Sequence, residues 1–442
     1  MKRALAFALV AACHGNTDAA PPEVRDTRAP VASADLHVDA GTPPRCTAVA
    51  SPPPIGFGQG AELGEAVALK DGFAIGTLRT ESGKRTAAVV RLGSGPPVVT
   101  DLGVAPCDAL APQPIVRSDE VYAVAYVEAK PAHAGSAVSP RGASLVVFHV
   151  GSSAERLAEV LADSDASAAY DVVAATAPGA PVGAVVAWDD SDGHSRASGN
   201  PKLASHPIVR VAALSPDLHA VRAVQVVHAA ADAGTDGVDA GDPRVVSREG
   251  GYWLTYVAHR PERPSSHLPL PAGEIETPSE EATYGWVEAV MLDAEGALKG
   301  TPRRLTPLTG HVVSYAVWSH EATLEVVAKD EGPGVLGGSL SLVVWSGEGE
   351  PVSHMLVRAG VEEEFPPVIV PDTGATAWLS FLDVSGETEL LPLGPSSAAK
   401  PQASGHEPLL TGARLLGASA GRVALAASAG AAWSLEWATC SR

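Results

Sequence analysis

One short apolar run recurs along the chain, and its repetition limits the folds available. Gly251-Tyr252-Trp253-Leu254-Thr255-Tyr256-Val257-Ala258-His259 is rich in β-branched and aromatic residues and opens on paired glycines. Near-copies lie at Gly72–Leu78, Val121–Tyr126, Gly183–Trp188, Thr323–Ala328, Ala375–Phe381 and Arg422–Ala427, spaced roughly 47 to 72 residues apart. Runs this short, bounded by turn residues, read as strands. Repetition at this period marks a repeat architecture, in which each unit buries its faces against its neighbours.

Each copy has company. Glu65–Leu69 precedes the first copy, and Thr86–Leu92 and Pro97–Leu102 follow it. Pro114–Val116, Ser144–Val150 and Ala154–Leu161 flank the second, although Ala154–Leu161 also suits a short helix. Outer strands are expected at Ile208–Leu214, Gly285–Leu292, Ser341–Trp345 and Trp433–Trp437. With 44 Gly and 37 Pro in 442 residues, long helices are disfavoured. The repeated runs are apolar on both faces, often alternating small with large residues. That suits a sheet sandwiched between two others, where large side chains fill the gaps left by small ones. Four short strands per unit, repeated radially, predict an all-β single β-propeller. Seven four-stranded blades fit the seven copies. Six or eight remain open, because the sixth unit is poorly marked between Leu390 and Leu409.

The last unit holds only three strands, so a strand near Thr47–Ala50 is expected to complete it and close the ring. The cysteines agree. Cys440 ends the third strand of that unit and Cys46 begins its antiparallel neighbour, so a Cys46–Cys440 disulfide is expected. Cys107 is left over.

The first residues read as an address. Lys2 and Arg3 precede an apolar run, Ala4–Ala12, too short to span a bilayer and suited to a secretory signal. Residues 1–12 are therefore read as a signal peptide. Residues 13–45, dominated by Ala, Pro, Asp and Thr, bury too little to fold and are read as a tether. The propeller domain follows at 46–442. The net charge of −20 disfavours nucleic acid and anionic lipid as partners.

Recognisable chemistry is scarce. Gly417-Ala418-Ser419-Ala420-Gly421 fits a nucleophile elbow, but a strand follows it and the last histidine is His406. Gly56–Ala61 loosely fits a dinucleotide loop without the strand before it or the helix after it. Asp189–Gly193 lacks the EF-hand register. Asp232, Asp236, Asp239 and Asp242 read as an acidic loop, and the histidines show no close metal-ligand spacing. Neither a metal nor a cofactor is expected. The eight tryptophans fall mostly in strands and read as core, with a sugar-stacking platform as the other reading.

Val10-Ala11-Ala12-Cys13 resembles the bacterial lipobox, and with the tether and the strand repeat the chain resembles bacterial secreted β-propeller lipoproteins. The resemblance implies acylation of Cys13; an ordinary signal peptide cleaved near Ala20 is the alternative. His14, where an Asp would retain a lipoprotein at the inner membrane, implies an outer-membrane address, with the membrane touched through the lipid anchor only. The first functional expectation is a monomeric binding or interaction scaffold whose partner is an envelope protein or glycan. The alternative is a propeller hydrolase or lyase acting on glycans or esters. A convergent cluster of carboxylates, His or Arg at the central channel mouth would favour the enzyme. The working face is expected where loops follow the second strands, at Ala129–Gly142, Asp189–His206, Arg260–Ala282 and Glu331–Gly338. Within it, Asp190, Asp192, His194, His259, Arg260 and Arg263 are the polar groups nearest the strand ends and the candidate binding residues.

Overall fold

The computed structural model describes residues 45–441 apart from 50–54, 57–61, 82–83, 94, 104–109, 129–142, 165–168, 178, 192–206, 228–237, 262–282, 332–336, 363–364, 373–375, 395–411, 420–421 and 430–431. Cys13, Cys107, Asp192, His194, Arg263, the signal peptide, most of the tether and most of the long loops therefore lie outside the described residues. Every regular element among the described residues is a strand.

Two short strands, β1 (Arg45–Val49) and β2 (Ile55–Gly56), come first. Blade 1 is β3 (Glu62–Leu69), β4 (Gly72–Glu81), β5 (Lys84–Leu92) and β6 (Val98–Asp101). Blade 2 is β7 (Gln113–Arg117), β8 (Glu120–Glu128), β9 (Ala143–Val150) and β10 (Ala154–Ser164). Blade 3 is β11 (Tyr170–Ala174), β12 (Ala184–Ser191), β13 (Pro207–Leu214) and β14 (Val221–Val227). Blade 4 is β15 (Asp239–Arg248), β16 (Gly251–Pro261), β17 (Thr283–Asp293) and β18 (Leu298–Arg304). Blade 5 is β19 (Val312–His320), β20 (Thr323–Asp330), β21 (Gly338–Trp345) and β22 (Val352–Val361). Blade 6 shows β23 (Val368–Pro371), β24 (Ala377–Leu382) and β25 (Thr388–Leu393) among the described residues. Blade 7 is β26 (Arg414–Ser419), β27 (Arg422–Ala429) and β28 (Ala432–Ser441), completed by β1 and β2, which both pair with β28.

The molecule is a seven-bladed β-propeller. All strand pairs within the blades are antiparallel and, apart from those of β1 and β2 with β28, sequential, and the first strands contact one another in a closed circuit, β3–β7–β11–β15–β19–β23–β26 and back to β3. The seven repeated runs are the second strands, β4, β8, β12, β16, β20, β24 and β27. Ala154–Leu161 belongs to a strand, β10, bent by register shifts against β9, and not to a helix.

Seven hydrophobic clusters lie one between each pair of adjacent blades, which explains why the second strands are apolar on both faces. On β16, Tyr252, Leu254, Tyr256 and Ala258 pack toward blade 3, while Trp253 and Val257 pack toward blade 5. Small residues make the close approaches possible. A Cβ on Gly76 would lie 1.5 Å from the Pro112 carbonyl oxygen, and one on Gly417 would lie 2.0 Å from Cε1 of Phe73. Gly417 is thus a packing glycine on β26, and Ser419 of the elbow-like sequence is the last residue of that strand, paired with Arg422 of β27; Ala420 and Gly421 lie outside the described residues.

The closure is the expected one. Cys46 on β1 stands opposite Cys440 on β28 and is disulfide-bonded to it, with Cα atoms 4.0 Å apart and a sequence separation of 394. One expectation changes. Asp239 and Asp242 are not loop residues: both belong to β15, which carries a bulge between Gly241 and Arg244, with Asp242 at φ +48°.

Candidate functional site

In a propeller the first strand of each blade lines the central channel and enters from the face that carries the blade-to-blade connections. Most first strands place a polar residue toward that end: Glu65 on β3, Gln113 on β7, Asp171 on β11, Asp242 and Arg244 on β15, Tyr315 on β19 and Arg414 on β26. They converge. Arg244 Nη1 is 3.1 Å from Glu65 Oε1 and Nη2 is 3.3 Å from Asp242 Oδ1. Blades 1 and 4 are three apart in a ring of seven, so the Arg244–Glu65 pair spans the channel. Both partners keep water contact, with side-chain exposures of 24% for Arg244 and 45% for Glu65.

The bulge on β15 makes Asp242 the hub. Its carboxylate pairs with Arg244, its carbonyl accepts a 2.7 Å hydrogen bond from the Tyr315 hydroxyl of blade 5, and its N–H donates to the Asp189 carboxyl of blade 3. Bulges re-aim side chains in this manner and concentrate near working sites. Thr255 Oγ1 donates to the Tyr315 hydroxyl at 3.2 Å. Behind this layer Asp171 is only 7% exposed. Its Oδ1 accepts the Val172 N–H at 2.9 Å and its Oδ2 the Val245 N–H of blade 4 at 2.6 Å. Further ties continue around the ring: Gln113 Nε2 donates to the Tyr170 carbonyl at 2.8 Å, and Arg414 Nη1 to the Leu63 carbonyl at 3.0 Å. These bonds satisfy backbone groups that the first strands turn toward the channel.

The electrostatics split the acids. Burial, reinforced by the charge of Glu65, pushes the Asp171 carboxyl up to about 7, against the opposing pull of Arg244 and the two amide donors. Burial likewise lifts Asp189 to about 7, against the Asp242 amide. Burial would lower Arg244, but Asp242, Glu65 and Asp171 hold it above its ordinary value. Arg414 is held below its ordinary value by burial; Glu65 opposes this and Arg244 adds to it. Burial and then Asp242 push the Tyr315 hydroxyl well up.

The candidate residues on the loop face occupy a different place. Asp190 Oδ2 pairs with Arg210 Nε at 2.9 Å on the outer part of blade 3. His259 Nε2 is 3.7 Å from Asp239 Oδ2, directly across β15 and β16, and the Arg260 guanidinium lies 5.9 Å from the centre of the Trp286 ring. Asp190, His259 and Arg260 are thus placed on the second strands β12 and β16, where they meet Arg210, Asp239 and the Trp286 ring. Among the described residues no three or more His, Cys, Asp or Glu side chains converge as a metal site. A small cleft between blades 3 and 4 opens on the opposite face, where Ala175, Ala180, Arg248, Gly251, Tyr252 and Ala294 line it.

No protein-family model and no curated protein sequence matches the chain. Among solved structures it is similar to the polysaccharide lyase Uly1, at 8% identity and a TM-score of 0.45, covering 92% of this chain and 94% of that one. It is similar to the β-propeller domain of the Trilobed protease from Pyrococcus furiosus, at 9% identity and a TM-score of 0.44, covering 85% and 95%. It is also similar to an α-L-arabinanase from Penicillium chrysogenum, at 12% identity and a TM-score of 0.43, covering 79% and 98%. At such identities and scores no residue role transfers.

Proposed function

We propose that the protein is a propeller hydrolase or lyase of the cell envelope, held at the outer membrane by acylation of Cys13, with a glycan as its substrate at the channel mouth. The observation that carries this reading is the convergence of Glu65, Asp171, Asp242 and Arg244 from three blades at one end of the ring. A scaffold needs no such charged cluster at its centre, because a broad loop face would serve it.

The split among the acids suits the chemistry. Asp171 retains a proton up to about pH 7, beside Glu65, which is ion-paired with Arg244. Hydrolysis of a glycosidic bond uses both forms together: a carboxyl gives its proton to the leaving oxygen, and a carboxylate takes one from the water whose oxygen bonds to the anomeric carbon. Glu65 and Asp242 are the more exposed carboxylates and are assigned to the face the substrate meets. In this scheme Asp171 gives its proton to the leaving oxygen, Glu65 or Asp242 takes the proton of the attacking water, and Arg244 positions the carboxylates.

The test is incubation of the full chain with a panel of envelope and extracellular glycans, following new reducing ends for hydrolysis and the absorbance of unsaturated sugar ends for elimination. Turnover by the parent that is lost in Glu65→Gln supports the reading. A parent that binds a glycan or protein of the envelope without turning over any substrate overturns it in favour of the scaffold.

A further inference from the structure

Arg414 stands apart from the other charges at the channel mouth. It is the first residue of β26 and lies next to blade 1, where its Nη1 donates to the Leu63 carbonyl at 3.0 Å. Arg244 holds two carboxylates, but Arg414 makes no ion pair among the described residues, although it senses the charges of both Glu65 and Arg244. It is mostly, not wholly, buried. A guanidinium carries five N–H donors in a planar fork, and a carboxylate is its best-matched partner. A carbonyl oxygen uses one donor and supplies no negative charge.

We infer that Arg414 anchors an anionic group of the ligand, so that the substrate class is an acidic glycan whose carboxylate meets the Arg414 fork beside the Arg244–Glu65 bridge. The inference rests on the channel-mouth reading and narrows it. A planar carboxylate matches the fork in two parallel bonds, a fit that a sugar hydroxyl cannot supply. The position serves the chemistry as well: a carboxylate held on β26 sets the sugar ring across from Arg244 and beside Glu65. A structural role for Arg414, as a tie between blades 7 and 1 through Leu63, needs only a hydrogen-bond donor.

The test is titration calorimetry of the full chain with polygalacturonate, dextran sulfate and neutral dextran, repeated for Arg414→Gln and Arg414→Lys. Gln keeps a donor for the Leu63 carbonyl and removes the charge. Polygalacturonate is expected to bind the parent, with Arg414→Gln weakening it about 10- to 100-fold and Arg414→Lys restoring part of the loss. Preference for dextran sulfate over polygalacturonate overturns the carboxylate assignment. Equal binding of dextran, or an Arg414→Gln variant as tight as the parent, overturns the anionic class and leaves the Glu65→Gln result to judge the channel-mouth site separately. If Arg414→Gln gives no cooperative melt, the salt series of the parent decides: affinity falling with salt supports the inference, and salt-independent affinity overturns it.

Discussion

Arg244 on β15 reaches across the central channel to Glu65 on β3, from one side of the ring to the other, with 3.1 Å between Nη1 and Oε1. The same guanidinium pairs with Asp242 on its own strand. One side chain therefore couples blades 1 and 4, which share no strand pairing. The bridge crosses the channel at its mouth, and both of its carboxylates are partly exposed to solvent.

Removing the arginine should cost more than removing one of its partners. Arg244→Met leaves Glu65, Asp242 and Asp171 facing one another without a cation, whereas Glu65→Gln leaves Arg244 its pair with Asp242. Because the bridge is partly exposed, a loss of about 1–3 kcal/mol is expected for Arg244→Met and under about 1 kcal/mol for Glu65→Gln. Urea unfolding of both variants checks the order; equal losses would show that the bridge does not organise the cluster.

Stability should fall as pH rises from about 4 to 7. Asp171, Asp189 and Glu325 are each pushed up to about 7, with burial the main cause. Their folded-state pKa values exceed the unfolded ones, so in this window the folded protein binds more protons and loses stability as they leave. Above the folded pKa the effect is complete. Melting temperatures between pH 4.5 and 8 should decline more steeply for the parent than for Asp171→Asn. Parallel curves would mean that Asp171 does not titrate in this range.

The Cys46–Cys440 disulfide closes a loop of nearly the whole domain, and the chain-entropy argument assigns such a closure up to about 6 kcal/mol, with less in practice. Reductant should lower the melting temperature of the parent by several degrees and leave a Cys46→Ala/Cys440→Ala variant unmoved. The variant should still fold, because β1 and β2 retain their pairing with β28. An unchanged melt of the parent under reduction, with the bond shown to be broken, contradicts the role of the clasp.

The architecture was legible in the sequence because second strands carry their environment in their composition. Residues 252–258 must fill two interfaces at once, and the resulting two-sided apolar run is visible without coordinates. Cys46 and Cys440 were legible for a related reason, since a ring short of one strand must close on its own N-terminus. The channel mouth was not. Glu65, Asp171, Arg244, Tyr315 and Arg414 are single polar residues on first strands, separated by up to 349 positions in sequence, and only ring closure brings them together. The available signal was a polar residue shortly upstream of most repeated runs. Asp242 was masked further by the Ala/Gly/Asp composition around it, which reads as a loop although it forms a bulged strand.

Gly76 offers a test of the packing itself. Its Cβ position is occupied by the Pro112 carbonyl of the next blade, a backbone group that cannot swing away. Gly76→Ala is expected to cost at least about 3 kcal/mol, beyond ordinary overpacking. Urea unfolding checks it, and a near-neutral effect would place blades 1 and 2 farther apart than described.

The most direct measurement of the central claim compares two acids of blade 3. Asp171 belongs to the channel-mouth cluster, and Asp190, nineteen positions on, pairs with Arg210 outside it. On the glycan that the parent turns over, kcat/KM for Asp171→Asn should fall by about 100-fold or more, the scale of a lost acid–base group. Asp190→Asn should stay within about twofold, the level expected for a rim ion pair. Activity retained in Asp171→Asn and lost in Asp190→Asn would move the working site from the channel to the loops.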